Sequence, residues 1–379
     1  MGLIGSGTMV LDGQVCRPGW LETSGGRIRA CGAGPPPGPV DRDFPDCVVV
    51  PGFVDMHVHG GGGASYTDAH TDADADRIGA AAEFHLRHGT TTTLASLVTA
   101  SPAELIGGVR ALAAATRRGT IAGIHLEGPW LSRARCGAHD PARMRDPDPA
   151  EIDAVLAAGG GAIRMVTLAP ELPGADDAIR RFLDANVVVA VGHTDATYEQ
   201  TQRAIAAGAT VGTHLFNAMP PLHHREPGPA LALLRDPAVT VELIADGVHV
   251  HPEVVRAVIA AAGPDRVALV TDALAAAGCA DGPFRLGAVY IDVESGVARV
   301  HGTSTIAGST ATMDRLFRAA AADAGLAAAV AMTAATPARA LGLARVGSLR
   351  AGHDANLVVL DGALEVAAVM VRGDWVVNG

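Results

Sequence analysis

The sequence predicts an α/β protein, a (β/α)8 TIM barrel with a small β-sandwich domain formed by both chain ends. Three observations lead to this fold class. Through the middle of the chain, eight β-branched apolar runs alternate with Ala-rich helical stretches. Both chain ends instead contain short strands separated by Gly and Pro turns. The length of 379 residues accommodates a barrel of roughly 250 residues and one smaller domain.

The chain ends are predicted to fold together. Residues 1–50 contain short strands that Gly25-Gly26 and Pro35-Pro36-Pro37-Gly38 interrupt. So short a segment seldom sustains a core of its own, and residues 346–379 repeat the pattern. We therefore predict one β-sandwich domain from residues 1–50 and 346–379, beside a barrel formed by residues 51–345.

The barrel strands are predicted from the β-branched runs. They span residues 49–57, 90–98, 120–127, 163–169, 187–193, 210–214, 240–245 and 267–272. After the eighth strand, residues 284–300 are predicted to form an inserted hairpin that turns at Glu294-Ser295-Gly296, and the last helix is predicted from Ser309. A closed barrel places its active site at the carboxyl ends of the strands.

Composition argues against several classes of function. A net charge of −11 disfavours binding to nucleic acid or an anionic membrane surface, and no run of 18 apolar residues is present to span a bilayer. All 29 basic residues are Arg, which excludes Schiff-base lysines, P-loop lysines and carbamylated-lysine metal bridges. The five scattered cysteines and the absence of a signal peptide predict a cytoplasmic protein.

Residues of metal-ligand type recur at the ends of the predicted strands. They are His57 and His59 on the first strand, Glu127 on the third, His193 on the fifth, His214 on the sixth and Asp272 on the eighth. Taken singly, His193 or His214 is equally well explained as a core histidine and Asp272 as a helix N-cap, and an isolated His-x-His pair is more often hydrogen-bonded in a core. Structural polar residues have no reason to gather at one rim, so jointly they predict a metal-dependent active site.

The chemistry of these residues suits amide hydrolysis. Glu127, His193 and His214 form a two-His, one-carboxylate set that leaves a position open for water, as catalytic zinc sites do. Asp272 is then the general base and acid, and His57 with His59 is placed to hold a second ion bridged through Glu127. We predict one or two divalent ions per subunit, zinc first, with iron, manganese and cobalt as alternatives.

Polar residues in the later loops predict an anion site. Asn217 follows His214, Arg225 lies in the next loop, and His249 follows the seventh strand. Backbone amides near Asn217, together with Arg225 and His249, suit a phosphate. Arg225 alone would more commonly be a solvated loop residue, but its neighbours favour the anion role.

Nine motifs, in order along nearly the whole chain, carry a resemblance to a known family. They are Pro51-Gly-Phe-Val-Asp55, His125-Leu-Glu-Gly-Pro129, Gly137-Ala-His-Asp140, Val191-Gly-His-Thr194, Gly212-Thr-His-Leu-Phe-Asn-Ala-Met219, Arg225-Glu-Pro-Gly228, Ala245-Asp-Gly-Val-His249, Val270-Thr-Asp-Ala273 and Ile306-Ala-Gly-Ser309. The sequence resembles the N-acetylglucosamine-6-phosphate deacetylases of the amidohydrolase superfamily. Gly212-Thr-His-Leu-Phe-Asn-Ala-Met219 followed by Arg225-Glu-Pro-Gly228 is specific to that family, whereas Pro51-Gly-Phe-Val-Asp55 marks only the superfamily.

The resemblance implies hydrolysis of N-acetyl-D-glucosamine 6-phosphate to D-glucosamine 6-phosphate and acetate, in amino-sugar catabolism or recycling. It assigns Glu127, His193 and His214 to the principal metal and Asp272 to the acid/base role. The substrate-binding residues that it implies are Ala138 and His139 beside the sugar and its acetyl group, Asn217, Ala218, Arg225 and His249 at the phosphate, and Ile306, Ala307 and Gly308 along the pocket. It also implies a homodimer and leaves open whether the partner subunit completes the phosphate site.

Two positions bear on how closely the family pattern applies. Family members that lack the first-strand pair use one metal, so His57 and His59 favour a two-metal variant. Cys136 stands where a basic residue is more usual, and a plain buried or surface thiol is its simplest interpretation. The competing hypotheses are another amidohydrolase acting on a different amide, an enzyme for acyl-sugars of relaxed specificity, and a catalytically silent barrel. The complete ligand set argues against the last of these.

Overall fold

The structure, a computed structural model, describes residues 2–69, 71 and 74–377. The strands are β1 (Gly2–Leu11), β2 (Gln14–Cys16), β3 (Gly19–Ser24), β4 (Arg27–Ala33), β5 (Arg42–Pro51), β6 (Phe53–Val58), β7 (Gly60–Gly61), β8 (Ala64–Ser65), β9 (Thr90–Leu97), β10 (Gly123–Glu127), β11 (Ile163–Leu168), β12 (Val188–Val191), β13 (Val211–Gly212), β14 (Thr240–Leu243), β15 (Val267–Leu269), β16 (Gly282–Leu286), β17 (Val289–Glu294), β18 (Val297–Val300), β19 (Leu357–Leu360), β20 (Val366–Val371) and β21 (Asp374–Val377).

The first eight α-helices each follow one barrel strand, and two short helices come after them. They are α1 (Ala75–Arg87), α2 (Pro102–Arg118), α3 (Pro149–Gly159), α4 (Ala175–Asp184), α5 (Tyr198–Ala206), α6 (Gly228–Arg235), α7 (Pro252–Ala262), α8 (Met313–Ala324), α9 (Leu326–Val330) and α10 (Thr336–Ala340). Helix α2 shows why such segments start where they do: Ser101 accepts from the Glu104 amide, and the Glu104 side chain accepts from the Ser101 amide, a capping box. None of the described helices is both long and apolar enough to cross a membrane.

Contacts divide the chain into two units. One unit comprises Met1–Asp55, Phe84–Thr92 and Thr312–Gly379, and the other comprises Met56–Glu83 and Thr93–Ala311. The domain boundaries predicted from the sequence, after residues 50 and 345, stay a prediction.

The barrel sheet has the strand order β15-β14-β13-β12-β11-β10-β9-β6. Its strands from β9 to β15 pair in parallel and in chain order, as successive β/α units do. The two outer strands approach each other beyond their ends, where the Asp272 amide donates to the His57 carbonyl (2.8 Å) and the His59 amide donates to the Ala273 carbonyl (2.9 Å). The predicted (β/α)8 barrel is confirmed.

The first barrel strand starts later than the sequence predicts. Residues 49–51 belong to β5 in the other large sheet, and β6 begins at Phe53. The break falls at Gly52, where a Cβ atom would overlap the Thr91 side chain. The apolar run continues through Gly52 on both sides, so hydrophobicity alone does not reveal that two sheets share it.

Both chain ends contribute to the second large sheet, as predicted. Its order is β21-β20-β19-β5-β1-β3-β4, with β2 paired to β1. Strand β19 from the C-terminal part lies antiparallel to β5, with Leu357 opposite Pro51. Its core contains Ile4, Met9, Leu11, Leu21, Ile28, Val49, Leu349, Ala355, Leu357, Val359, Ala368 and Met370.

The predicted hairpin is a three-stranded antiparallel sheet. Strands β17 and β18 turn at Ser295 and Gly296, whose φ angles are 52° and 74°. The additional strand, β16, pairs with β17 after a turn at Gly287. Buried apolar side chains of this sheet pack in one core with Ala138 and Ala307. The inserted sheet therefore supports two residues predicted to bind substrate.

Candidate metal centre and active site

The predicted ligand residues lie together at one rim of the barrel. His57 is the fifth residue of β6 and His59 follows that strand, while Glu127 is the last residue of β10. His193, His214 and Asp272 come shortly after β12, β13 and β15. All six side chains are buried. Because parallel strands end at the same rim, residues far apart in sequence meet here.

One oxygen of Glu127 faces two histidines. Its Oε1 atom lies 3.0 Å from Nε2 of His193 and 3.0 Å from Nε2 of His214. These two nitrogens are 3.1 Å apart. Ligand atoms that each sit about 2.0 to 2.1 Å from a tetrahedral ion lie about 3.3 Å from one another. The three donors therefore fit a divalent ion.

The other oxygen of Glu127 faces His59 of the first-strand pair. Its Oε2 atom lies 3.1 Å from Nε2 of His59, and Nε2 of His57 is 3.2 Å from Nε2 of His59. Asp272 Oδ1 is 3.2 Å from His59 Nε2 and 3.5 Å from His57 Nε2. This donor set fits a second ion, with Glu127 between the two positions.

The electrostatics of the cluster also suit cations. Every ion pair of Glu127 and Asp272 that the structure describes is with a histidine. Burial alone would lower the pKa of His59, but hydrogen bonds to Asp272 and Glu127 raise it to about 9. The cluster therefore attracts protons in the absence of metal, and a metal ion would displace them.

A backbone carbonyl fixes the tautomer of His193. Its Nδ1 atom lies 2.9 Å from the Arg135 carbonyl oxygen. A carbonyl oxygen only accepts, so Nδ1 carries the proton and the lone pair of Nε2 faces Glu127. Such an outer hydrogen bond is the usual way a metal-binding histidine is oriented.

His139 has the opposite tautomer. Its Nδ1 atom faces the backbone amide of Thr99 (3.2 Å), which only donates, and the Thr99 hydroxyl (2.9 Å). Nε2 therefore carries the proton, 3.3 Å from Glu127 Oε2. Burial is the main cause that lowers the pKa of His139, to about 4, so the ring is neutral at neutral pH. Although His139 lies within reach of Glu127 and His193, its geometry suits a hydrogen-bond donor rather than a ligand.

Three of the site residues have left-handed backbone. The φ angles are 47° at His193, 27° at His214 and 48° at Asp272. L-residues other than Gly adopt this region at a cost of about 1 to 3 kcal/mol each. The conformation turns the side chains over the barrel rim directly after each strand.

A cavity of about 500 Å³ opens beside these residues. The predicted substrate-binding residues that line it are Ala138, His139, Asn217, Ala218, His249, Ile306, Ala307 and Gly308. Half-buried Cys136 also lines it. Arg225 does not: in the described structure its guanidinium donates to Nε2 of His224 (2.8 Å) in an exposed loop.

His249 is held as a cation. Nδ1 lies 2.8 Å from Asp246 Oδ2 and Nε2 lies 2.7 Å from the Ala307 carbonyl oxygen. Both partners are acceptors, so both ring nitrogens carry protons. Burial opposes the charge, but Asp246 outweighs it and raises the pKa of His249. The protonated His249 therefore offsets the negative charge of Asp246 beside the cavity and anchors the Ile306 to Gly308 segment.

Sequence reasoning missed Glu242. This residue lies within β14 and is fully buried. Its Oε2 atom is 3.1 Å from Nδ1 of His57 and accepts a hydrogen bond from the His214 amide (3.2 Å). The available signal was a carboxylate inside an otherwise apolar strand, where an ionised side chain is costly unless it is paired.

Comparison with known proteins identifies relatives of this chain. The chain is 38% identical over 349 residues to N-acetylglucosamine-6-phosphate deacetylase of Bos taurus, covering 88% of this chain and 85% of the relative. It is 37% identical to N-acetylgalactosamine-6-phosphate deacetylase of Escherichia coli O157:H7, covering 86% of this chain and 87% of that protein.

Among solved structures, a mutant of N-acetyl-D-glucosamine-6-phosphate deacetylase from Mycobacterium smegmatis, in complex with N-acetyl-D-glucosamine-6-phosphate, is 55% identical. The TM-score is 0.97, and the match covers 100% of this chain and 99% of the other. The model of the amidohydrolase family matches residues 48–376. The chain belongs to the amidohydrolase family.

Proposed function

We propose that this protein hydrolyses N-acetyl-D-glucosamine 6-phosphate to D-glucosamine 6-phosphate and acetate, in amino-sugar catabolism or recycling. The observation that carries the proposal is the convergence of His57, His59, His193 and His214 on the two oxygens of Glu127. The relatives, which are named as deacetylases of acetylated amino-sugar phosphates, support the substrate class.

The residues suit a divalent metal. Glu127, His193 and His214 would hold the principal ion, and His57 with His59 would hold a second. A bound divalent ion lowers the pKa of water to about 7 and polarises a carbonyl oxygen. Zinc is the first metal to test, with iron, manganese and cobalt as alternatives, because His and carboxylate donors suit all four.

Asp272 and His139 supply the proton transfers and hydrogen bonds. His57 and His59 outweigh the effect of burial and lower the pKa of Asp272 to about 2, so its carboxylate is ionised and able to accept a proton from the attacking water. Asp272 then returns that proton to the departing sugar nitrogen. His139 donates from Nε2 to the acetyl carbonyl oxygen, where negative charge develops during attack.

The phosphate would lie near Asn217, Ala218 and His249. Positive φ angles at Phe216 (78°) and Ala218 (51°) give the type of backbone that forms anion-binding concavities, and the protonated His249 offsets the charge of Asp246, which would otherwise repel a phosphate. Arg225 stays a prediction as a phosphate ligand. A homodimer and a cytoplasmic location also stay predictions.

A second candidate substrate is the galacto epimer, N-acetylgalactosamine 6-phosphate. The relative from Escherichia coli O157:H7 is named for N-acetylgalactosamine 6-phosphate. Its sequence is nearly as similar to this chain as that of the N-acetylglucosamine-6-phosphate deacetylase of Bos taurus. The two sugars differ only in the orientation of the C4 hydroxyl. The same reaction on the galacto epimer is therefore the alternative function.

Acetate release from purified protein of known metal content tests the proposal. We expect release from N-acetyl-D-glucosamine 6-phosphate, loss of release on chelation, and recovery when zinc is restored. Release from the galacto epimer and from unphosphorylated N-acetylglucosamine is measured beside it. Faster turnover of the galacto epimer would favour the alternative, and equal turnover without phosphate would contradict the phosphate site.

The charge on His249 predicts a pH effect on substrate binding. Because the pKa of His249 is raised above its ordinary value, the ring stays cationic at neutral pH and loses its proton as pH rises beyond the raised pKa. We expect KM for the phosphorylated sugar to rise about tenfold over that transition. The unphosphorylated sugar should show no such rise.

The control is His249→Gln, which cannot titrate. We expect this variant to have the raised KM at every pH and no transition. A wild-type KM that stays constant while the variant is impaired would show that His249 acts only by anchoring Ala307.

A further inference from the structure

Glu242 is the charged group of the site to which the proposed reaction gives no role. It lies within β14, contacts the His57 ring and the His214 amide, and is fully buried. Its one ion pair in the described structure is with His57. Its second oxygen, Oε1, has no hydrogen-bond partner among the described residues. Burying an ionised carboxylate with one unpaired oxygen costs free energy of folding, so we expect its charge to have a role in the site.

The hydrogen bonds of Glu242 determine the tautomer of His57. The His214 amide, 3.2 Å from Oε2, can only donate, so Oε2 is an acceptor. His57 Nδ1, 3.1 Å from the same oxygen, therefore carries the proton. Nε2 of His57, the nitrogen left to bind a metal, then faces Nε2 of His59 (3.2 Å), Oε1 of Glu127 (3.4 Å) and Oδ1 of Asp272 (3.5 Å).

Glu242 also joins the two halves of the cluster. The same Oε2 atom contacts the ring of His57, from the first-strand pair, and the backbone of His214, from the principal set. Glu127, Asp272 and Glu242 are three buried carboxylates whose ion pairs in the described structure are all with histidines. Their combined charge of −3 exceeds the +2 of one divalent ion, so the cluster keeps negative charge that would attract a second ion.

We propose that Glu242 is the positioning residue that makes His57 and His59 a second metal site. It holds His57 with Nε2 directed at the cluster centre and supplies negative charge behind the ring. Outer carboxylate partners of this kind raise the basicity of the histidine and fix its orientation. The inference rests on the proposed metal-dependent function and adds a residue to it.

The test compares zinc binding by wild type and Glu242→Gln, an isosteric variant that keeps an acceptor oxygen but removes the charge. Metal-free proteins are titrated with zinc in a calorimeter, and bound zinc per subunit is measured by mass spectrometry. We expect two zinc ions in wild type and a second-ion Kd raised about 10- to 100-fold in Glu242→Gln. The Kd of the first ion should change much less.

Two further variants separate positioning from a structural role. Asp314→Asn removes another buried carboxylate, which pairs with His88. Both residues belong to the unit that does not contain Glu242, so this variant should leave both zinc dissociation constants unchanged. In a His57→Gln background, adding Glu242→Gln should have no further effect on zinc binding, because Glu242 acts through His57.

The outcomes distinguish the two proposals. Wild type that binds no zinc or other divalent ion would overturn the metal-dependent function itself. Wild type with two ions and a Glu242→Gln variant with an unchanged second Kd would overturn the role of Glu242 alone. A wild type that binds one ion per subunit would overturn the second site and leave the hydrolytic proposal standing.

Discussion

Replacing Asp272 with asparagine is expected to lower kcat for deacetylation by about 10²- to 10⁴-fold and to leave the bound metal in place. Asparagine has the shape of aspartate and tolerates the left-handed backbone of this position, where φ is 48°. It cannot accept a proton from water. Acetate release and metal analysis on the same preparation measure both effects.

The control for this prediction is Asp292→Asn, which removes an exposed carboxylate that pairs with His301 on the inserted sheet. It should have wild-type kcat and metal content. Full activity in Asp272→Asn would refute the acid/base role. Loss of metal together with activity would instead make Asp272 a ligand, a role that its distance of 3.2 Å from His59 Nε2 allows.

Glu127→Gln is expected to remove metal from both positions and to lower activity by about 10³-fold or more. Oε1 of Glu127 lies 3.0 Å from Nε2 of His193 and of His214, and Oε2 lies 3.1 Å from Nε2 of His59. A glutamine amide has one oxygen, and its NH2 group cannot bind a cation. One substitution therefore disrupts both donor sets.

Bound zinc per subunit and acetate release are measured for Glu127→Gln beside Glu151→Gln, whose carboxylate pairs with Arg145 instead of the cluster. The Glu151 variant should match wild type in both measurements. A Glu127→Gln protein that keeps two ions would contradict the bridging role. One that keeps a single ion would identify the site for which Glu127 is dispensable.

The meeting of these ligand-type residues could be predicted from the sequence because barrel topology brings them together. His57, Glu127, His193, His214 and Asp272 all stand at or just after strand ends, and a parallel barrel collects those ends at one rim. The same rule gives no information on Glu242, which lies inside β14. Its contact with His57 depends on which residues of β14 face the barrel interior.

Other features depend on backbone groups, which no side-chain pattern reveals. The tautomers of His193 and His139 are fixed by the Arg135 carbonyl and the Thr99 amide. The division of one apolar run between β5 and β6 depends on the crowding at Gly52. Arg225 was predicted from its neighbours in sequence, but its loop holds it at the surface of the described chain.

The left-handed backbone at His193, His214 and Asp272 has a consequence for the enzyme in the cell. Strain of about 1 to 3 kcal/mol at each position is a large fraction of the stability of a typical protein, about 5 to 15 kcal/mol. A metal that binds only the folded chain offsets this deficit by mass action. Chains made under metal starvation would unfold more often and be degraded faster, so metal supply would set the abundance of the enzyme as well as its activity.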